Sequence, residues 1–213
     1  MSDLLTYSRV QDYLRSLVPP RPPEMREMEG YAKRQGFPAI GPVCGYFCYQ
    51  IARMIRARKV FELGSGFGYS TAWFATAVRE NGGGVVHHVV WDAELSERAK
   101  GHLDRLGYGD IVRLHVAEAI ETLRRTKGPF DLIFNDIDKE GYPQSLPVIK
   151  EKLRSGGVLI IDNMLWDGRV LNPKNHEPTT EAIRVFTRGI VEDPEWIVSL
   201  VPMRDGMIVA LKK

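Results

Sequence analysis

At Lys59 the hydrophobic pattern of this chain changes period, and that change governs the choice of fold class. From there on, short apolar runs bounded by turn residues, Lys59–Leu63, Val85–Trp91, Ile111–Val116, Phe130–Asn135 and Gly157–Ile161, alternate with stretches of helical spacing at Thr71–Arg79, Ala93–Leu106, Ala119–Lys127 and Tyr142–Leu153. A strand that returns to the same sheet through a helix runs parallel to its predecessor, so the pattern predicts an α/β fold with a doubly wound, mostly parallel sheet. After a loop from Trp166 to Pro178 and a last helix, Glu181–Val191, the runs Trp196–Val201 and Met207–Leu211 meet across Arg204-Asp205-Gly206 as an antiparallel hairpin, which brings the sheet to seven strands.

Ahead of Lys59 the spacing is helical: residues 1–18, then Pro23–Gln35 beyond a proline cluster, then Val43–Ile55. The 213 residues suit one domain, with 1–56 as an N-terminal helical cap and 57–213 as the core. With 29 basic and 27 acidic residues the net charge is +2, which gives no electrostatic case for nucleic acid or an anionic membrane. No apolar run approaches the ~20 residues that span a bilayer, and the N-terminus lacks a signal pattern, so the expected location is the cytoplasm. Cys44 and Cys48 stand four apart in a helical stretch without a zinc-spaced second pair. They read as small apolar residues of a buried face, with a redox or metal role as the alternative.

Two strand ends carry chemistry. Phe134-Asn135-Asp136-Ile137-Asp138-Lys139 closes one apolar run and Ile161-Asp162-Asn163 the next. If those strands are neighbours, Asp136, Asp162 and Asn163 offer two carboxylates and an amide oxygen at one sheet edge, a donor set for a hard divalent cation. Lys139 then stands beside that ion as a candidate base. The competing reading makes the aspartates loop caps and Lys139 a solvated lysine paired with Asp138 and Glu140.

A third motif, Glu62-Leu63-Gly64-Ser65-Gly66-Phe67-Gly68-Tyr69-Ser70, follows the first strand and opens a helix. Glycines there let a ligand approach main-chain N–H groups, and a helix N-terminus favours a negative group. The Gly-x-Gly-x-Gly spacing differs from the Gly-x-Gly-x-x-Gly of dinucleotide binders and disfavours a nicotinamide-dependent oxidoreductase. At the end of the second strand Asp92 is the early acid able to clamp a ribose, and it is equally well placed to cap the following helix.

Glycine loop, Asp-x-Asp-Lys cluster, Asp-Asn pair and terminal Asp-Gly hairpin, taken in order, resemble the S-adenosylmethionine-dependent O-methyltransferases of the catechol and caffeoyl-coenzyme A type, over roughly residues 23–213. The resemblance implies a Rossmann-like methyltransferase fold. It implies that Glu62, Gly64, Ser65, Gly66, Tyr69 and Ser70 hold the methionine end of S-adenosylmethionine, that Glu118 and Ala119 lie by the adenine, and that Asp136 borders the cofactor as well as the metal. Asp136, Asp162 and Asn163 fall where the family holds its metal, usually Mg2+, and Lys139 where it places its base. The expected reaction is methyl transfer to a hydroxyl of a small aromatic, catechol-like acceptor by a homodimer. The walls of the acceptor pocket would be Trp166–Pro178 and the Phe37–Pro42 loop. One departure stands out: the family's ribose-binding acid falls on Val90, so either Asp92 replaces it or the cofactor is held less tightly. The alternative function is an S-adenosylmethionine-binding protein with another acceptor or little catalysis.

Overall fold

A computed structural model describes residues 7–213, and the first six residues of the predicted N-terminal helix lie outside the described residues. Three helices, α1 (Tyr7–Ser16), α2 (Pro23–Gln35) and α3 (Gly41–Met54), precede the alternating part. That part comprises β1 (Lys59–Leu63), α4 (Tyr69–Glu80), β2 (Val85–Val90), α5 (Ala93–Arg105), β3 (Val112–Val116), α6 (Ala119–Arg125), β4 (Phe130–Asn135), α7 (Tyr142–Lys152) and β5 (Leu153–Ile161). Helix α8 (Pro178–Glu192) leads to the hairpin β6 (Trp196–Val201) and β7 (Met207–Lys212).

The seven strands lie in the order β3-β2-β1-β4-β5-β7-β6. β1 to β5 are parallel and β7 pairs antiparallel with both β5 and β6. The period of two along each strand divides the core into two layers. Val60, Leu132, Phe134, Val158 and Ile160 face the layer shared with Met25, Met28, Cys44, Cys48 and Phe74, so α2 and α3 are built into the same core as the sheet. Phe61, Ile133, Leu159, Ile161 and Ile208 face the layer of α7 and α8, with Tyr142, Ile149, Ile183 and Phe186.

Strand β5 starts four residues earlier than the sequence suggests. Gly156-Gly157 reads as a turn, yet the ladder absorbs it as an irregularity between the Phe130–Leu153 and Leu132–Val158 pairs, with Gly156 at φ 69°. The long loop after β5 is also partly ordered, as a kinked 3-10 segment at Trp166–Leu171. Both cysteines are fully buried and free, and burial pushes the Cys44 thiol up to about 12. Among the described residues no helix is long and apolar enough to cross a membrane.

Strand order reverses between β1, which leads outward to β2 and β3, and β4, which leads to β5. Loops leaving the C-terminal ends of β1 and β4 diverge there and leave a crevice, the usual place for a ligand in an open parallel sheet.

Candidate active site

A cavity of about 1140 Å³ fills that crevice. It exceeds the few hundred Å³ that a single small ligand needs, so two molecules fit side by side. Its floor is the glycine loop. Gly64 has φ 82°, and a Cβ there would come within 2.3 Å of the Asp136 carbonyl oxygen, so the close crossing of β1 and β4 admits glycine only. Ser65 locks the loop to β2: its N–H donates to Val89 O and its Oγ accepts from the Val89 N–H, both at 2.9 Å. Helix α4 begins at Tyr69 with Gly68 as its cap residue and no side-chain cap, leaving first-turn N–H groups for a ligand.

Glu62 lies beneath this loop, fully buried, and accepts from Thr71 Oγ1 at 2.5 Å; that oxygen is 2.9 Å from His88 Nδ1. Burial raises the Glu62 carboxyl to about 7 against hydrogen bonds from Ser70, Thr71 and Ser65, and lowers the His88 imidazole to about 3, which keeps it neutral. Tyr69 reaches back to the helical cap, donating to Glu29 Oε1 at 2.8 Å, where Arg21 forks onto the same carboxylate.

On the far side of the loop the wall is Val89, Val90 and Trp91, then Ala117 to Ile120 after β3. The sequence left Asp92 two roles, and the structure gives it the cap: Oδ1 accepts from the N–H groups of Glu94 and Leu95, and the side chain is outside the cavity wall. Glu118 lines the cavity while its carboxylate caps α6 through the N–H groups of Ile120 and Glu121. Glu118 thus lines the cavity on the side where the resemblance puts the adenine, while Asp92 is committed to its helix and Val90 stands where the family has an acid.

The opposite end is built from β4, β5 and the β6–β7 turn. Asp136, Asp162 and Asn163 do meet at one edge, as neighbouring parallel strands require. Each is already engaged by the protein. Lys139 Nζ donates to Asp136 Oδ1 at 3.0 Å, to Ile137 O at 3.2 Å and to Tyr142 Oη at 2.9 Å. Arg204 Nη1 donates to Asp162 Oδ2 at 2.8 Å. Asn163 turns its amide nitrogen to Asp205 Oδ2 at 3.2 Å. Burial, together with repulsion from Asp136, raises the Asp162 carboxyl to about 6, and burial raises Asp136 against the pull of Lys139. Tyr142, buried among these carboxylates, is held well above its ordinary value and donates to Asp162 O at 2.9 Å.

Oxygens of this donor set remain for the divalent ion that the sequence suggested: Asp162 Oδ1 is buried with no hydrogen-bond partner, and Asn163, which donates through its amide nitrogen, keeps its oxygen. Asp162 is 1% exposed and does not itself line the cavity, whereas Asp136, Asn163 and Arg204, the partner of Asp162, do. Lys139 and Arg204 pair with the two carboxylates here.

Asp205 also fixes the last wall. Its Oδ1 accepts from the Asp167 N–H at 2.6 Å, while Arg184 of α8 donates to the carbonyls of Asn172 and Asn175 at 2.6 and 2.7 Å. Leu165, Trp166, Asp167, Gly168 and Leu171 thus face the cavity from one side and Phe37 to Ile40 from the other, while Gly41 and Pro42 start α3. Lys139 lies 5.8 Å from the Trp166 ring. Arg204, Asp205, Tyr142 and the Thr71–His88 pair went unnoticed in the sequence. The Arg-Asp-Gly turn was read only as a hairpin, although its register beside β5 carries it to Asp162.

A family model described as O-methyltransferase matches residues 24–213. A catechol O-methyltransferase from Niastella koreensis is 31% identical over 189 residues, covering 84% of this chain and 85% of that one. The mouse catechol O-methyltransferase domain-containing protein 1 is 32% identical over 167 residues, 76% of this chain and 63% of that one. Among solved structures, an O-methyltransferase from Bacillus cereus in complex with SAH superposes with a TM-score of 0.87 at 26% identity, covering 96% of this chain and 97% of that one.

Proposed function

Because the chain belongs to the O-methyltransferase family, we propose that it moves the methyl group of S-adenosylmethionine to a hydroxyl of a small aromatic acceptor. The observation that carries this reading is one cavity with two chemically different ends, large enough for two ligands and placed at the reversal of strand order. The glycine loop and the open first turn of α4 suit the amino-acid end of the cofactor, and the wall from Val90 to Trp91 and from Ala117 to Ile120 suits its adenosine. SAH, the demethylated cofactor, accompanies the Bacillus cereus relative, which supports the same ligand here.

Methyl transfer from a sulfonium is an in-line displacement in which the carbon–sulfur bond breaks as a carbon–oxygen bond forms, so both partners must be held close and aligned. The acceptor hydroxyl must also give up its proton, and a phenol, with a pKa near ~10, is mostly protonated at neutral pH. In this reading the acceptor lies between Trp166 and the Phe37–Ile40 loop, with its hydroxyl at the Lys139–Asp136 pair. Lys139 supplies positive charge that favours the ionised oxygen, and the pair takes the proton. Asp136, Asp162 and Asn163 are the residues that would hold a divalent ion, which when bound would favour the ionised acceptor oxygen. A catechol-like acceptor suits a wall that includes Phe37 and Trp166, and the relatives named for catechol support it.

The test is a mass-spectrometric screen of vicinal aromatic diols, simple phenols, thiols and amines with S-adenosylmethionine and the full chain. Addition of one methyl group to an aromatic hydroxyl, with SAH released in equal amount, is the expected result. Methylation confined to thiols or amines would replace the acceptor class, and no SAH from any acceptor would leave a binding protein.

A further inference from the structure

The wall that follows β5 is held in a conformation its own residues resist. Trp166, Asp167 and Gly168 are left-handed in succession, at φ 50°, 51° and 77°, and two of the three carry side chains. Such backbone persists only where neighbouring groups fix it. On the cavity side the fixing group is the Asp205 carboxylate at the Asp167 N–H. Behind the segment it is a single side chain, Arg184 of α8. Its Nη2 donates to Asn172 O at 2.6 Å and, less closely, to Val170 O and Arg169 O at 3.2 and 3.3 Å. Nη1 donates to Asn175 O at 2.7 Å and Nε to Val170 O at 3.2 Å. Nη1 also reaches Glu181 Oε1 at 2.7 Å, which orients the planar group from the first turn of its own helix. Four carbonyls of an irregular segment thus converge on one guanidinium whose side chain is only 19% exposed.

The same helix reaches the reacting end. Phe186, two residues beyond Arg184, packs against the Tyr142 ring at 5.6 Å, and Tyr142 Oη accepts from Lys139 Nζ at 2.9 Å. Ile183, Phe186 and Ile190 root α8 in the core, so one rigid element spans from the wall to the lysine. We propose that Arg184 is a positioning residue for the acceptor: it fixes the wall of Leu165, Trp166 and Leu171 at a set distance from the Lys139–Asp136 pair, so that the acceptor meets a preformed slot. Leu171 lines the cavity yet is 76% exposed. A side chain that exposed gains little from its own burial, so its backbone must hold it there. Arginine suits the task because its five N–H donors lie in one plane with fixed directions, whereas an ammonium group offers three donors on a flexible stem. The inference rests on the O-methyltransferase reading and adds to it a residue that stands outside the cavity wall.

Three quantities test this on the full chain: KM and kcat for a vicinal aromatic diol with S-adenosylmethionine, SAH affinity by calorimetry, and backbone hydrogen exchange over residues 169–175 by mass spectrometry. Arg184→Met keeps the apolar stem and removes every donor. Exchange over 169–175 is expected to quicken roughly ten- to a hundredfold, the loss of charged hydrogen bonds. Acceptor KM is expected to rise about tenfold, because the acceptor must then order the wall as it binds. Neither the Lys139–Asp136 pair nor the glycine loop touches Arg184, so kcat should stay within about threefold and SAH affinity within about twofold. Arg184→Lys, which keeps the charge and some donors, should fall between, and Arg188→Met, an exposed arginine of the same helix, should match the wild type. Should Arg184→Met not fold, Arg184→Lys decides by the same criteria at about threefold or more. Faster exchange with an unchanged KM overturns the proposal, as does unchanged exchange, or a loss of SAH affinity in step with the rise in KM. Any of these beside normal wild-type turnover removes the arginine's role alone. Absence of methyl transfer by the wild type to any acceptor would instead overturn the O-methyltransferase reading, and that role with it.

Discussion

Glu62 offers a prediction whose size follows from its surroundings. Its carboxyl is completely enclosed under the glycine loop, and burial lifts it from 4.5 to about 7. Between those values the folded protein binds a proton that the unfolded chain has released. The stabilisation from this group is therefore complete below pH 4.5 and is lost as pH rises through 7. At ~1.4 kcal/mol per pH unit, the interval amounts to roughly 3 kcal/mol. Glu62→Gln keeps the shape and one acceptor oxygen while removing the titration. In urea unfolding of the ligand-free protein at pH 5 to 8.5, wild-type stability should fall by roughly 3 kcal/mol more than that of Glu62→Gln, and thermal midpoints should diverge by roughly 6–12 °C at the alkaline end. Asp162, raised to about 6, contributes a slope of the same sign, but it is common to both proteins and cancels in the difference. Parallel pH profiles would refute the reasoning and show that Glu62 is ionised in the folded state at little cost.

Further expectations concern the cavity. Lys139→Met should lower turnover by about 10²–10⁴-fold while SAH affinity, measured by calorimetry, moves less than about tenfold, because the ammonium faces the acceptor end. Asp205→Ala removes the acceptor that holds the Asp167 N–H at 2.6 Å; a charged hydrogen bond of ~1.5–3 kcal/mol predicts roughly ten- to a hundredfold faster hydrogen exchange at Asp167 and a higher KM for the acceptor. Val90→Glu supplies the missing carboxylate at the end of β2 and should tighten SAH binding about tenfold by calorimetry, whereas unchanged or weaker binding would place the ribose elsewhere.

The fold was legible because its signals are local. Short apolar runs at Val60–Leu63 and Leu132–Asn135, period 3.6 between them, and Arg204-Asp205-Gly206 between two apolar runs each depend on residues close in the chain. Where local signals competed, reading failed: Gly156-Gly157 looks like a boundary, and only the pairing with β4 turns it into a bulge inside β5. The site was half legible. Strand ends beside one another bring Asp136, Asp162 and Asn163 together, and that much follows from topology. What engages them does not, because Lys139 acts through a short 3-10 turn and Arg204 arrives from 42 residues downstream of Asp162. Asp92 shows the same limit, since a carboxylate before a helix serves a ligand or a cap equally well in sequence, and the structure shows it capping α5.

The most direct measurement is a crystal structure of the full chain with SAH and a vicinal diol. The account predicts the amino-acid end of SAH along Gly64 to Ser70, its adenosine between Val90–Trp91 and Ala117–Ile120, and a diol oxygen at the Lys139–Asp136 pair, with the sulfur facing it. SAH bound outside this cavity, or a diol directed away from Lys139 and Asp136, would contradict it.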